Sequence, residues 1–342
     1  MAVRQPNSIN FSSSFVVLPK KSIQVKINTR ERVAVLTFRH ECQEDDTMPR
    51  KTHIAFVYDF DRTLSTSEMQ DALIRKLGLV PKEFWKSTNE YAKEHNMDKN
   101  LAYLYCLRKE CANKSMAINR DVLHSAGEEV EFFKGVEEWF DHIDNLAKEL
   151  GVVIEHYVIS SGMKEIIEGT SIAKRFERIY ACEYHYDENG VPVWVNNVIN
   201  FTSKTQFLFR INKGKLDIWD EKGVNEYIPH DERRIPFENM IYFGDGETDI
   251  PCKKLVKNYG GHSIGDYSRR KQTVQQMMYD ERIDFYCKAD YSKDGELYAY
   301  VENVVRMIAY NYPLMMRALK QYNESKNAIE GKSISSKSDS EE

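Results

Sequence analysis

Short, continuously apolar runs alternate with amphipathic segments from position 53 onward. Residues 53–58 (HIAFVY) form the first such run, and unbroken apolarity over so few residues is typical of a strand covered by helices on both faces. Similar runs at 152–159, 240–243 and 284–288 predict further strands, and the amphipathic pattern at 136–150 predicts a helix. This alternation indicates an α/β fold with a mostly parallel sheet.

Residues 66–130 interrupt the alternation, because their patterns predict only helices. One amphipathic segment ends at Gly78, and Pro81 opens the next. We interpret residues 66–130 as an inserted helical cap, and residues 48–65 together with 131–322 as the core to which it belongs.

Residues 180–238 predict a hairpin, a helix and a long loop within the core. Residues 180–186 and 191–195 flank the turn Asp187-Glu188-Asn189-Gly190, and its Asn-Gly pair predicts a β-hairpin. Thr202–Ile211 has a helical pattern, whereas residues 212–238 are polar and predict a long loop.

The two ends of the chain differ from the core. Residues 1–47 alternate short β-like runs, 23–27 and 33–38, with polar clusters. This extension is compatible with an accessory hairpin, a flexible arm or an upstream extension of the reading frame. Residues 323–342 are rich in Ser, Lys and Glu and have little to bury, so we expect a disordered tail.

The composition is that of an ordinary globular protein. The 342 residues are 42% hydrophobic and 30% charged, with a net charge of −5. Basic residues form no blocks, so we expect no nucleic-acid partner. No apolar stretch is long enough to span a bilayer and no signal peptide is evident. The six cysteines lack CxxC spacing, which favours reduced thiols in the cytoplasm and argues against a structural zinc site.

Polar residues follow three of the predicted strands directly. Asp59 and Asp61 follow the first, Ser160 ends the second, and Asp245 and Asp249 follow the third. Ligands of open α/β sheets bind at the carboxyl ends of the strands. We therefore expect these carboxylates and this hydroxyl to meet at one edge of the sheet.

Several carboxylates at one site need a cation, because like charges held close together repel each other and resist burial. Mg²⁺ is the expected cation, since it is bound by a few carboxylates, waters and phosphate oxygens. One aspartate can then attack a phosphorus atom as a nucleophile. A second aspartate can protonate the leaving oxygen and later activate water.

The motifs together resemble those of the haloacid dehalogenase-like (HAD) phosphohydrolases. The first motif, DxDx[TV], matches Asp59, Asp61 and Thr63. The second matches Ser160 at the end of an apolar strand, and the fourth, GDxxxD, matches Gly244 to Asp249. The resemblance spans residues 53–249 and implies a Rossmann-like three-layer α/β/α core with a mostly parallel sheet. The helical insert resembles the cap of the phosphoserine phosphatase-like branch.

The resemblance implies a role for each matching residue. Asp59 would be the nucleophile and a metal ligand, and Asp61 the general acid/base, its main-chain carbonyl also on the metal. Asp245 would bind the metal, and Asp249 would support the metal's water shell or the lysine. The remaining residues would serve the phosphoryl group: Thr63, by steadying the loop, and Ser160, with Ser161 and Gly162 beside it.

Two further assignments are less specific. Lys204 opens the helix after the hairpin, as the lysine of the third HAD motif does, with Lys213 and Lys215 as rivals. Glu68 stands where the phosphoserine phosphatase-like branch carries an acidic residue that reads the substrate. Ser65 and Glu68 also match a capping box, which is a purely structural interpretation.

The sequence therefore predicts a cytoplasmic, Mg²⁺-dependent phosphatase that acts on a small phosphorylated metabolite through an aspartyl-phosphate on Asp59. The same residues are compatible with a phosphotransferase or phosphomutase, in which another hydroxyl takes the phosphoryl group. A non-catalytic protein that binds a phosphorylated ligand is a third alternative. The substrate and the oligomeric state are not encoded in any pattern that we recognise.

Overall fold

The computed structural model describes residues 51–115 and 118–338, with side chains through residue 330. Of the preceding segment it describes only the backbone of two short strands, β1 (Lys26–Ile27) and β2 (Ala34–Val35), which pair antiparallel. Both lie inside the β-like runs of the sequence, within a unit, Met1–Arg50, that is distinct from the rest. The remainder of the predicted extension 1–47 lies outside the described residues.

A seven-stranded sheet forms the centre of the second unit, which begins at Lys51. Its order is β6-β5-β4-β3-β7-β8-β9, and every neighbouring pair is parallel except β5 and β6. The strands are β3 (His53–Tyr58), β4 (Val153–Met163), β5 (Arg178–Tyr186), β6 (Pro192–Asn197), β7 (Met240–Gly244), β8 (His262–Tyr267) and β9 (Phe285–Lys288). The predicted α/β class with a mostly parallel sheet is confirmed.

Helices cover both faces of the sheet. In β7, the adjacent residues Tyr242 and Phe243 point to opposite faces because side chains alternate along a strand. The ring of Phe243 lies 6.1 Å from that of Trp139 in α5 (Val136–Leu150). The hydroxyl of Tyr242 instead donates to Asp249, which precedes α9 (Ile250–Asn258). The result is a three-layer core.

The insert between β3 and β4 is helical, as its sequence predicts. Its helices are α1 (Asp71–Lys76), α2 (Pro81–Glu94), α3 (Lys99–Asn113) and α4 (Arg120–Gly127). The other helices of the unit are α6 (Lys164–Glu168), α7 (Lys204–Lys213), α8 (Glu221–Asn225), α10 (Lys271–Tyr279) and α11 (Glu296–Ser338). Insert and sheet belong to one compact unit.

The structure differs from the sequence prediction at two strands. Strand β4 continues through Ser160 to Met163, with a shift of register against β5 after Ile159. Strand β8, His262–Tyr267, was not predicted, because Ile264 is its only strongly apolar residue. Tertiary packing rather than hydrophobicity buries it: Ser263 and Asp266 are both fully buried.

The polar segment 212–238 is also less irregular than predicted. It contains α8 and the 3₁₀ turn His230–Glu232, and a second 3₁₀ turn, Phe237–Asn239, begins within it.

The prediction of a disordered tail from residue 323 is wrong for residues 323–338, which continue helix α11. Composition predicted correctly that this segment buries little, since most of residues 323–330 are exposed. A helix does not need burial to satisfy its backbone, because its hydrogen bonds are internal. Asn323 also contacts Asp231, and Lys326 and Glu330 are paired one turn apart. Residues 339–342 lie outside the described part.

Among the described residues, no helix is both long and apolar enough to cross a membrane. Five of the six cysteines are described, and all five are free thiols.

Helices α4 and α6 approach each other closely at two glycines, and this contact joins the insert to the core. A Cβ atom on Gly169 would lie 1.8 Å from the carbonyl oxygen of His124, and one on Gly127 would lie 2.2 Å from that of Ile166. Both obstacles are backbone atoms, so they cannot move aside without shifting a helix. Only glycine fits at either position.

The Gly169→Ala substitution should therefore lower the free energy of unfolding by about 1–3 kcal/mol, the usual cost of overpacking. Urea denaturation measures this, with Lys174→Ala on the exposed surface nearby as the control. Gly169 has a φ of −81°, which alanine adopts freely. A Gly169→Ala protein as stable as the control would contradict the close contact.

Candidate active site

The carboxyl ends of β3, β4, β7 and β8 surround a cavity of about 710 Å³. Four central strands of a parallel sheet thus contribute to one site, as expected where connections leave a strand in opposite directions. Here the chain passes from β3 to β4 on one side, and β7 pairs with β3 on the other. The cavity is lined by Asp59, Asp61, Ser160, Lys204 and Asp245, among others.

Lys204 is the centre of a buried ion-pair network. Its Nζ donates to Oδ1 of Asp59 and to Oδ1 of Asp249, both at 2.8 Å. Lys204 and Asp249 are fully buried, and Asp59 is 6% exposed. Helix α7 begins at Lys204 and α9 follows Asp249, so two helices and strand β3 meet at this ammonium group.

The burial of this cluster changes its protonation. Burial, together with the charge of Asp249, raises the pKa of Asp59 to about 7, although Lys204 opposes the shift. Burial would likewise raise the pKa of Asp249, but the ammonium of Lys204 outweighs it and holds that pKa below the ordinary value. The two carboxylates in turn raise the pKa of Lys204 despite its burial. Lys204 thus stabilises the charged form of Asp249.

Asp59, Asp245 and Asp249 have carboxylate oxygens within 4.8 Å of one another. Oδ2 of Asp249 is buried and has no hydrogen-bond partner among the described residues. Burial and the charge of Asp249 raise the pKa of Asp245 to about 6. The two nearby ammonium groups, of Lys204 and Lys253, cannot neutralise three carboxylates, and an unpaired carboxylate oxygen is a ready ligand atom. The donor set therefore fits a divalent cation with oxygen ligands.

Thr63 connects the first and fourth motifs. Its buried hydroxyl accepts a hydrogen bond from the backbone N–H of Asp245 (3.1 Å). The backbone N–H of Asp59 donates to the carbonyl of Phe243 (2.9 Å), which continues the pairing of β3 with β7. These two bonds fix the backbone of Asp59 relative to that of Asp245.

Asp61 lines the same cavity but belongs to a second group of contacts. Its Oδ1 accepts from the backbone N–H of Met69 (2.7 Å). Burial and the nearby charge of Glu68 raise its pKa well above the ordinary value. A carboxyl with a raised pKa keeps its proton to higher pH and can serve as a general acid.

Glu68 lies at the cavity, as the sequence predicts, but it also has a structural partner. It forms a 2.9 Å ion pair with Arg62, whose φ of +63° is unusual for a residue other than glycine. No capping box forms here: the Ser65 hydroxyl donates to the carbonyl oxygens of Phe60 and Ser67, and α1 begins only at Asp71.

The second motif supplies polar groups to the cavity, and its glycine leaves room for the side chains of Met69 and Asp61. The hydroxyl of Ser160 accepts from the N–H of Gly162 (2.9 Å). A Cβ on Gly162 would lie 2.1 Å from Met69 and 3.1 Å from Oδ2 of Asp61. The carbonyl of Ser161 accepts from the hydroxyl of Tyr103 in the insert (3.0 Å). Ser160 and Ser161 line the cavity, whereas Gly162 makes room behind them.

The structure distinguishes Lys204 from the two rival lysines. Nζ of Lys213 donates to the carbonyls of Val224 (2.7 Å) and Glu226 (2.6 Å), in the polar segment after α7. Neither Lys213 nor Lys215 is among the residues that line the cavity.

Sequence reasoning missed the wall of the cavity formed by the end of β8 and the residues that follow it. Asp266, Tyr267, Ser268, Arg269 and Arg270 all line it. A cluster of polar and basic residues after a short strand was the available signal, but the strand itself is too weakly apolar to be recognised. Tyr242 was also missed, since it lies inside a strand and its hydroxyl donates to Asp249 (2.8 Å).

No family model matches the sequence. An uncharacterized protein from Borreliella burgdorferi is 27% identical over 279 residues, covering 74% of this chain and 96% of that protein.

Three solved structures illustrate the likeness of the fold. A HAD family hydrolase from Salmonella enterica serovar Typhi is 16% identical, with a TM-score of 0.47 over 70% of this chain and 68% of that one. A phosphoserine phosphatase in its apo form is 18% identical, with a TM-score of 0.46 over 70% and 96%. A cytosolic 5′-nucleotidase IIIB bound to cytidine is 11% identical, with a TM-score of 0.43 over 76% and 87%.

The activity of this chain has to be inferred from the residues of its own site.

The raised pKa values predict how metal-free stability depends on pH. Asp59 and Asp245 hold protons in the folded protein up to about pH 7 and 6, whereas the unfolded chain releases them near 3.8. The contribution of these two groups to stability should therefore be greatest near pH 4 and fall as the pH rises, by at most about 1.4 kcal/mol per pH unit and proton. In EDTA, Asp59→Asn should be more stable than the parent at pH 7.5, and the difference should disappear towards pH 4.

Urea denaturation of both proteins between pH 4 and 7.5 tests this prediction. If the parent protein instead gains stability relative to Asp59→Asn as the pH rises, burial does not destabilise the charged form of Asp59.

The hydroxyl of Thr63 should be needed for cation binding. Thr63→Val keeps the shape but leaves the N–H of Asp245 without its partner, at a cost of about 1–3 kcal/mol. We expect weaker binding of divalent cations, measured by calorimetry or by the rise in melting temperature with added Mg²⁺. Thr63→Ser retains the hydroxyl and is the matched control; equal losses in both variants would contradict this role.

Proposed function

We propose that this protein is a Mg²⁺-dependent phosphatase that hydrolyses small phosphomonoesters through a phosphorylated aspartate. The observation that carries the proposal is the buried network in which Lys204 holds Asp59 and Asp249 at 2.8 Å, with Asp245 alongside. Holding two buried carboxylates and a half-buried one this close together is costly, and phosphoryl transfer assisted by a cation is a reaction that uses all three.

Asp59 is suited to be the nucleophile. Its Oδ1 is bound by Lys204, whereas Oδ2 forms no hydrogen bond among the described residues and the carboxylate lines the cavity. Oδ2 would attack the phosphorus atom of the substrate, forming an acyl phosphate and releasing the alcohol oxygen. Lys204 would stabilise charge on the transferring group.

Asp61 is suited to move the protons. Its raised pKa lets it donate a proton to the leaving alcohol in the first step. In the second step it would take a proton from a water molecule that attacks the phosphorus of the acyl phosphate. Inorganic phosphate leaves, and Asp59 is restored with Asp61 protonated again.

The metal would be held by the carboxylates of Asp59 and Asp245, with the main-chain carbonyl of Asp61 as a further ligand. Asp249 would orient Lys204 and support the ligands in the metal's shell. When bound, Mg²⁺ supplies positive charge that brings the anionic substrate to an anionic nucleophile. Ser160, with Ser161 beside it, would hydrogen-bond the phosphoryl oxygens.

The helical insert would select the substrate. Glu68 and Asp71 line the cavity from this side, and Tyr103 anchors the insert to the second motif through the carbonyl of Ser161. A covered site favours a small metabolite over a phosphorylated protein, and it excludes bulk water during the reaction. A cytoplasmic location stays a prediction from the cysteine content.

Asp59→Asn should abolish the release of phosphate from p-nitrophenyl phosphate, because an amide cannot form the acyl phosphate. Asp61→Asn should lower kcat about 10²–10⁴-fold, the usual contribution of general acid–base catalysis. Steady-state assays with Mg²⁺ and without any added alcohol measure both effects. Lys213→Ala, a lysine outside the cavity, is the control.

Undiminished turnover in Asp59→Asn would reject the proposal. Turnover of the parent protein that requires an added alcohol would instead identify a phosphotransferase.

A further inference from the structure

The wall that follows β8 contributes groups that the proposed phosphoryl transfer does not use. Asp266 ends this wall at the sheet, and Ser268, Arg269 and Arg270 continue it towards α10. None of these residues belongs to the motifs that suggested the function. They nevertheless line the same cavity as Asp59.

Asp266, where this wall meets the sheet, has one side-chain oxygen without a hydrogen-bond partner. The residue is fully buried, and its Oδ2 accepts a hydrogen bond from Tyr291 (3.3 Å). Its Oδ1 is buried and has no hydrogen-bond partner among the described residues. Leaving a buried polar atom unpaired costs free energy. Because Asp266 also lines the cavity, a donor on a bound ligand, such as a hydroxyl group, would satisfy this atom.

Arg269 and Arg270 stand at the rim of the same wall. Both are exposed, and neither forms an ion pair in the part of the chain that the structure describes. The other two cations of the cavity are engaged: Arg62 pairs with Glu68, and Lys204 pairs with Asp59 and Asp249. Guanidinium groups bind carboxylates and phosphates through two parallel hydrogen bonds. The rim therefore has anion-binding capacity beyond what one phosphoryl group needs.

We propose that the substrate is a phosphomonoester whose alcohol part carries a hydroxyl group, bound by Asp266, and a second anionic group, bound by Arg269 and Arg270. This inference rests on the proposed phosphatase activity and specifies its substrate class. Substrate specificity would then depend on core residues beside β8 as well as on the helical insert.

A set of four matched esters tests the two recognition elements separately. Propyl phosphate has neither group, glycerol 3-phosphate has only hydroxyls, 3-phosphooxypropanoate has only the carboxylate, and 3-phosphoglycerate has both. Fructose 6-phosphate and fructose 1,6-bisphosphate form a second pair, in which the second anion is a phosphate. In at least one pair, kcat/KM of the parent protein should favour the ester with the second anion about tenfold or more.

Arg269→Ala and Arg270→Ala should raise KM for the esters that carry the second anion, so that the preference for these esters falls towards unity. Arg269→Lys and Arg270→Lys should restore part of the preference. Asp266→Asn should instead reduce the preference for 3-phosphoglycerate over 3-phosphooxypropanoate. Arg282→Ala removes the same charge from an arginine that is paired with Asp280 and does not line the cavity, so its preferences should equal those of the parent.

Failure of this inference can be distinguished from failure of the proposed function. Calorimetric binding of glycerol 3-phosphate and 3-phosphoglycerate to Asp59→Asn in the presence of Mg²⁺ measures the anion preference without turnover. A parent protein that hydrolyses propyl phosphate, but does not prefer the ester with the second anion in any of these pairs, would overturn this inference and leave the proposed phosphatase activity intact. A parent protein that hydrolyses none of the esters would reject the phosphatase, and equal binding of the two ligands would then reject the inference as well.

Discussion

The ion pair of Lys204 with Asp59 and Asp249 is the constraint around which the rest of the site is arranged. Three carboxylates lie within 4.8 Å of one another, and mutual repulsion at this distance is strong where water is excluded. The buried ammonium of Lys204 offsets part of it, and the buried ammonium of Lys253 offsets a further part. The donor set therefore fits a divalent cation with oxygen ligands, which would neutralise the remainder.

The surrounding fold keeps these charges in place through close backbone contacts. A Cβ on Gly244 would lie 2.5 Å from Oδ2 of Asp249, so a glycine is required where β7 ends. Thr63 binds the backbone of Asp245, and Lys253 donates to the carbonyl of Gly244 (2.6 Å). Local geometry and long-range sheet pairing therefore converge on one edge, where helices α7 and α9 deliver Lys204 and Asp249.

Much of this arrangement follows from the sequence, because the strands that carry the motifs are its most apolar runs. Asp59 and Asp245 could be placed at strand ends by pattern alone. Strand β8 could not, since Ser263 and Asp266 are buried by their neighbours and not by their own hydrophobicity. For the same reason, the sequence did not predict the cavity wall that contains Arg269. Residues 323–338 were misjudged for the opposite reason, because low hydrophobicity excludes burial but not a helix.

Asp59 has the central role, because it would carry the phosphoryl group during turnover. The direct measurement is to incubate the protein with a phosphomonoester and Mg²⁺, quench with acid during turnover, and locate the phosphoryl group by peptide mass spectrometry. We expect an alkali-labile phosphoryl group on Asp59, and none in Asp59→Asn. Continued turnover with no phosphorylated protein, or with the group on another residue, would contradict the account.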